Sequence, residues 1–114
     1  MERFRGDKIL MRIFVGESDR HGRRPLYEAL VELFRQEGCA GATVLRGVAG
    51  FGARSVFHTD KLLELSHDLP LIIEVVESEE KLDALMPRID AMMTGGLITR
   101  EQVRVVYYGK RPTG

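Results

Sequence analysis

One local pattern that occurs twice along the chain constrains the fold more than any other feature of the sequence. In each copy an apolar run is followed by Glu-Ser-Asp or Glu-Ser-Glu, by an amphipathic helical stripe, by glycines and by another apolar run. The first copy starts with a strand predicted over residues 8–15, and the second with one over 70–77. The order βαβ–loop–βαβ is typical of the ferredoxin-like α+β fold, an antiparallel four-stranded sheet with two helices on one face.

Each copy also carries signals for where its helix begins and ends. Pro25 suits the first position of a helix over 25–37, and Gly38 suits the residue that follows its end. Ser78 is a good N-cap for a second helix over 79–93. The apolar stripes of these helices are expected to form the core: Leu26, Leu30, Leu33, Phe34, Leu82, Leu85, Met86, Ile89 and Met93.

Pro87 lies inside the second predicted helix. Because proline has no backbone N–H, the carbonyl of Asp83 loses its helical donor. We therefore expect this helix to bend or to end early near Pro87.

Two further apolar runs predict strands over 42–48 and 103–108. With both helices on one face, the opposite face of the sheet is uncovered. The side chains predicted on that face are mostly apolar: Leu10, Phe14, Ile72, Val76, Val106 and Tyr108, mixed with Arg12, Glu74 and Arg104. Since so apolar a face is costly to leave in water, the pattern predicts oligomerisation through the open face of the sheet.

Length and charge exclude several classes of protein. The 114 residues allow a single domain, 1–114, with one core. The 17 Lys and Arg residues balance 17 Asp and Glu residues, so no net charge attracts nucleic acid or an anionic membrane. No run approaches the roughly 20 apolar residues that span a bilayer, no leader opens the chain, and Cys39 has no partner for an internal disulfide. We expect a cytoplasmic protein that is not inserted in a membrane and does not bind nucleic acid.

A glycine-rich segment with basic flanks is the strongest candidate binding site. Gly47, Gly50 and Gly52 lie between Arg46 and Arg54, so backbone N–H groups can approach an anion with two cations nearby. The glycines follow a strand but open no helix, so neither the dinucleotide motif nor the P-loop is matched. A plain hinge for the long loop that follows is the alternative interpretation.

Metal-binding and catalytic signals are weak. The following side chains are not at metal-ligand spacings: His21, His58, His67 and Cys39. Ser18, Ser55 and Ser66 have no paired His and Asp that would activate them as nucleophiles. The sequence therefore predicts no catalytic residue and no metal ligand, and the protein is not expected to be an enzyme.

Several spaced motifs resemble the PII superfamily of trimeric signalling proteins. Gly50-Phe51-Gly52, with Arg54 two residues further on, resembles the segment that opens the long T-loop of those proteins. Over nearly the whole chain the sequence is similar to one bacterial branch, the PII-like family of domain of unknown function one hundred and ninety. The segments that carry this resemblance are IFVGESD at 13–19, PLY at 25–27, RGVAGFG at 46–52, HT at 58–59, LSHDLP at 65–70 and EVVE at 74–77.

The resemblance implies a homotrimer packed through its sheets, with an adenine nucleotide bound in a cleft between neighbouring subunits. The T-loop-like segment, about 50–69, would report to a partner such as a membrane channel, a transporter or an enzyme. We expect its residues 53–66 to be the most mobile part of the free protein, because they have no regular apolar spacing. The candidate ligand-binding residues are Arg46, Gly47, Gly50, Phe51, Gly52 and Arg54, with Thr94, Gly95 and Gly96 where PII proteins have their phosphate-contacting B-loop.

The chain departs from the PII pattern at two places. PII proteins continue the B-loop with Gly-Asp-Gly-Lys, whereas this chain has Leu97-Ile98-Thr99-Arg100 and lacks the phosphate-gripping lysine. Residues 50–69 contain no tyrosine, the acceptor of uridylylation in some PII proteins. Two functions stay open: a regulatory trimer that binds a small anionic ligand such as an adenine nucleotide, and a metal-handling trimer like the CutA branch that uses loop histidines and acids.

Overall fold

The computed structural model describes residues 4–50 and 68–109. In chain order, the elements within these ranges are β1 (Gly6–Gly16), β2 (Arg20–His21), β3 (Arg24–Pro25), α1 (Leu26–Gln36), β4 (Ala42–Arg46), β5 (Pro70–Glu77), α2 (Glu79–Met92) and β6 (Leu97–Val105). The described part of the chain thus follows the predicted βαβ–βαβ order, with a short β2–β3 hairpin inserted before α1.

The main sheet has the strand order β4-β5-β1-β6 among the described residues, and every neighbouring pair is antiparallel. β1 lies between β5 and β6, so the first strand of each βαβ unit is central and the second is at an edge. This is the predicted ferredoxin-like α+β arrangement, and the fold class is confirmed.

Alternation along the two central strands places one face of the sheet against the helices. Met11, Ile13 and Val15 of β1 are buried, and Ile73 and Val75 of β5 are buried beside them. The helices complete this core with the buried side chains of Leu26, Leu30, Leu33, Phe34, Leu82, Leu85 and Ile89. The core therefore lies on one side of the sheet, as the helical stripes predict.

The helix ends also follow the sequence signals. Pro25 immediately precedes α1, and Gly38 follows its end with φ +74°, a left-handed conformation that favours glycine. The Oγ atom of Ser78 accepts a hydrogen bond from the backbone N–H of Lys81 at 3.2 Å, which confirms the predicted N-cap of α2.

Of the two outcomes expected near Pro87, a bend or an early end, the early end is wrong, because α2 continues to Met92, and a bend at Pro87 stays a prediction. Leu85 and Ile89, on either side of Pro87, are buried against the core and hold the last turns in place. Pro87 and Asp83 are both exposed, so the carbonyl that lost its donor lies on the side where water can replace it.

The last strand differs from its predicted range. β6 spans Leu97–Val105 rather than 103–108, because it pairs with β1 from Phe14 back to Gly6. As a result Val106 and Tyr108 lie beyond β6, and Arg104, opposite Asp7, lies on the other face from Leu10 and Phe14. The β6 side chains on the open face are instead Leu97, Thr99, Glu101, Val103 and Val105.

Candidate functional site

Three of the resembling segments meet at one end of the sheet. Arg46, the last residue of β4, lies opposite Leu71 of β5. Gly16, the last residue of β1, lies opposite Pro70. The strand pairing thus places the end of β4, the end of β1 and the start of β5 together, at the point where the described chain leaves the sheet after β4 and returns before β5.

Gly47 is packed tightly against β5. Its backbone N–H donates to the carbonyl of Pro70 at 2.7 Å, and a Cβ atom at this position would lie 2.7 Å from Pro70 Cγ. Gly50 also approaches Pro70, since its Cβ would lie 3.4 Å from the same atom. Because the Gly47 N–H already has a partner and a Cβ would collide with the ring of Pro70, this glycine serves close packing against the start of β5.

The turn that follows β1 is held by two aspartates. Asp19 accepts a hydrogen bond from the backbone N–H of Gly16 at 2.9 Å, and Asp68 accepts one from the N–H of Ser18 at 3.2 Å. The N–H of Glu17 donates to the carbonyl of Leu69 at 2.8 Å. These contacts fasten the turn to the start of β5.

Arg46 and Glu17 form an ion pair across the first residues of β5. The side chain of Arg46 is 61% exposed, whereas that of Glu17 is 26% exposed. The proposed ligand-binding cation therefore has a carboxylate beside it in the free chain. The sequence predictions included Arg46 but missed Glu17, Asp19 and Asp68, although all three stand inside the segments that carry the resemblance.

Thr94, Gly95 and Gly96 form the turn between α2 and β6. Gly96 has φ +96°, and a Cβ atom there would lie 2.3 Å from the carbonyl oxygen of Phe14. This glycine lets the turn pass close to β1, so its presence has a structural reason independent of any ligand.

The two glycine segments share one end of the sheet but lie at its opposite edges. β4 and β6 are separated by β5 and β1 among the described strands, and three strand spacings amount to about 14 Å. The structure therefore does not bring Arg46 and Thr94 into contact within one chain.

The remaining candidate residues, Phe51, Gly52 and Arg54, lie outside the described residues, as does the range 53–66 predicted to be mobile. The same holds for His58 and His67, on which the metal-handling alternative depends. Within 4–50 and 68–109, no three His, Cys, Asp or Glu side chains are grouped so that they could hold a metal ion. No helix in this part of the chain is long and apolar enough to cross a membrane.

Among the described residues, the side chains whose pKa values are shifted lie away from this end of the sheet. Burial raises the pKa of the Cys39 thiol, and the nearby carboxylate of Glu77 raises it further. A thiol with a raised pKa is not an activated nucleophile. On the open face, hydrogen bonds to Glu74 and Glu101 raise the pKa of Arg12.

Comparison with known proteins places most of the chain in one family. Residues 8–105 match the family DUF190, described as Uncharacterized ACR. A UPF0166 protein of Aquifex aeolicus is 37% identical over 100 residues, covering 88% of this chain and 94% of that protein. A UPF0166 protein of Methanocaldococcus jannaschii is 33% identical over 90 residues, covering 78% of this chain and 82% of that protein.

Solved structures share the fold at lower identity. A putative PII-like signaling protein from Thermus thermophilus has a TM-score of 0.62 at 20% identity, with 89% of this chain and 91% of that chain covered. CPII from Thiomonas intermedia, solved with ADP and bicarbonate, has a TM-score of 0.57 at 17% identity, with 87% and 88% covered. The sequence matches and the shared fold agree with the resemblance stated above. The chain therefore belongs to the DUF190 family and has the ferredoxin-like fold of PII-like proteins.

Proposed function

We propose that the protein is a PII-like regulatory homotrimer that binds a small anionic ligand, such as an adenine nucleotide, between neighbouring subunits. Ligand binding would act on the T-loop-like segment, about 50–69, which reports to a protein partner. The observation that carries this proposal is that the glycine segment leaves the sheet beside Arg46, a largely exposed cation at the end of β4. The fold adds support, because CPII has been solved with ADP and bicarbonate and with ADP, AMP and acetate.

The distribution of the candidate residues favours a site shared between copies. Arg46 and Gly50 lie at one edge of the sheet and Thr94–Gly96 at the other, about 14 Å apart within one chain. A neighbouring copy can bring one of these segments close to the other. In the proposed site Arg46 and Arg54 supply charge, and the backbone of 50–52 and 94–96 lies against the ligand.

The open face of the sheet supports the trimer. Leu10, Phe14, Ile72 and Val76 lie on the face opposite the core and are only half-buried in the single chain. Covering these side chains stabilises an assembly by about 1.5–3 kcal/mol for each one that becomes fully buried. We propose that copies of the chain cover one another there.

The partner is proposed to be a membrane channel, a transporter or an enzyme that the loop contacts, with the trimer acting in the cytoplasm as a regulator rather than a catalyst. A protein of this kind needs two loop states with different ligand affinities, since only such a difference shifts the population.

Calorimetric titration of the full chain with AMP, ADP, ATP and cyclic AMP tests the ligand class. We expect saturable binding of at least one of these nucleotides, at up to one site per chain. Light scattering on the same sample is expected to give the mass of a trimer. Absence of heat from all four nucleotides, checked by a second method such as equilibrium dialysis, contradicts the nucleotide proposal.

A further inference from the structure

We infer that Glu17 is an internal competitor for Arg46 and thereby sets the affinity and the charge preference of the proposed anion site. The inference rests on the proposed function, because it concerns the ligand that Arg46 would bind. It identifies Glu17 as an affinity-determining residue.

The backbone places the two side chains in reach of each other. The N–H of Glu17 donates to the carbonyl of Leu69 at 2.8 Å, and that of Gly47 donates to the carbonyl of Pro70 at 2.7 Å. Both segments are thus fastened to consecutive residues, Leu69 just before β5 and Pro70 at its start. The ion pair between Glu17 and Arg46 closes over these residues.

The two partners of the ion pair are held to different degrees. Glu17 stands in a turn that Asp19 and Asp68 fix through the N–H groups of Gly16 and Ser18, and its side chain is 26% exposed. The side chain of Arg46 is 61% exposed, so the guanidinium can rotate towards a ligand while the carboxylate stays behind. Ligand binding therefore requires that the anionic ligand replace the carboxylate of Glu17 as the partner of Arg46.

A carboxylate left beside the ligand also repels it. The repulsion grows with the negative charge of the ligand, because Coulomb energy is proportional to the product of the charges. Glu17 should therefore weaken the binding of ATP more than the binding of AMP. The residue thus lowers the affinity of the proposed site most for the more highly charged nucleotide.

Glu17 can be altered with little disturbance to the turn. Its structural contact is made by the backbone N–H to Leu69, which any side chain preserves. Asp19 and Asp68, in contrast, hold the turn through their side chains. Glu17→Gln keeps the shape of the side chain and removes its charge.

The test compares the wild-type chain with Glu17→Gln and Glu80→Gln by titration with AMP, ADP and ATP at low ionic strength. Glu80 is exposed in the first turn of α2, at the other end of the sheet, so its substitution is a control with the same change in net charge. We expect Glu17→Gln to bind about 1.5- to 5-fold more tightly, the range for an exposed ion pair. The gain should increase from AMP to ATP and shrink in added salt, while Glu80→Gln binds like the wild type.

A double-mutant cycle with Arg46→Gln separates competition from general charge repulsion. The part of the gain from Glu17→Gln that AMP, ADP and ATP share should vanish in the Arg46→Gln background, because no guanidinium is left to compete for, whereas the part that grows with ligand charge should remain. An undiminished gain in that background overturns the competition, and so does binding by Glu17→Gln that equals or falls below the wild type. In both cases the nucleotide site itself stands. If neither the wild type nor Glu17→Gln binds any of the three nucleotides, both the inference and the nucleotide proposal fail.

Discussion

Phe14 in β1 lies directly opposite Ile72 in β5 on the face of the sheet that α1 and α2 leave uncovered. The row continues to Leu45 of β4 and Leu97 of β6, which are 44% and 56% exposed. Four apolar side chains thus cross the described sheet from one edge to the other. Such a continuous row is what a second copy of the chain would cover.

Phe14→Asp is therefore expected to break the assembly before it breaks the fold. The core lies on the opposite face, so the monomer keeps its helices, while the assembly loses about 1.5–3 kcal/mol for each Phe14 it would have buried fully. Light scattering should give a trimer mass for the wild type and a monomer mass for the variant at micromolar concentration. Circular dichroism should show unchanged helix content.

Ala84→Asp is the matched control for this substitution. Ala84 is exposed on α2, on the other side of the sheet, so the same new charge should leave the trimer intact. A monomer mass for the wild-type chain would contradict the assembly, as would a Phe14→Asp variant that remains trimeric.

A second prediction concerns the structural role of Gly96. Alanine at this position combines φ +96° with a Cβ atom 2.3 Å from the carbonyl oxygen of Phe14. We expect Gly96→Ala to lower the free energy of unfolding by about 1–3 kcal/mol, measured by urea denaturation. Gly41→Ala is the control, since nothing lies within 4 Å of its Cβ, and it should change stability by less than about 0.5 kcal/mol. Equal stability of the two variants would contradict the close approach.

Much of the fold follows from local patterns, and the exceptions have a common cause. The N-cap at Ser78 and the glycine after α1, Gly38, could be predicted because each of these signals depends only on a few neighbouring residues. The start of β6 is not predicted because 97–102 (LITREQ) has no alternation of apolar and polar residues. Its strand conformation comes from pairing with the long β1, a contact between segments far apart in the sequence. The same pairing places Val106 and Tyr108 off the open face.

The candidate site shows the same limit. The sequence indicates Arg46 and Gly47 as candidate ligand-binding residues, but it does not show which groups they contact. The N–H of Gly47 is taken by Pro70, and the charge of Arg46 lies beside Glu17, 29 residues earlier. Neither partner can be assigned without the strand register. Local composition therefore indicates a candidate site, whereas the pairing of distant strands decides which of its groups already have partners within the chain.

A third prediction uses Cys39, the one cysteine in the sequence. Burial and the carboxylate of Glu77 raise the pKa of its thiol, so less thiolate is present at a given pH in the folded chain than in the unfolded one. Iodoacetamide should therefore modify the folded protein more slowly than the urea-unfolded protein at a mildly alkaline pH, and the pH profile of the rate should shift upwards. A folded-state profile that lies at lower pH than the unfolded one would contradict this environment.

The last prediction concerns Arg54, which lies outside the described residues and is placed in the site by its position two residues after Gly52. A guanidinium that donates a charge-assisted hydrogen bond to a phosphate contributes roughly 1.5–3 kcal/mol to binding. Arg54→Ala should therefore reduce the binding free energy of ADP by that amount. The mass of the trimer should stay unchanged, because Arg54 is not among the strand residues through which the assembly is proposed to form. Arg5→Ala removes the same charge from an exposed residue that precedes β1, at the other end of the sheet, and should leave ADP affinity intact. Equal losses in the two variants would show only a general charge effect, and Arg54 would then have to be removed from the site.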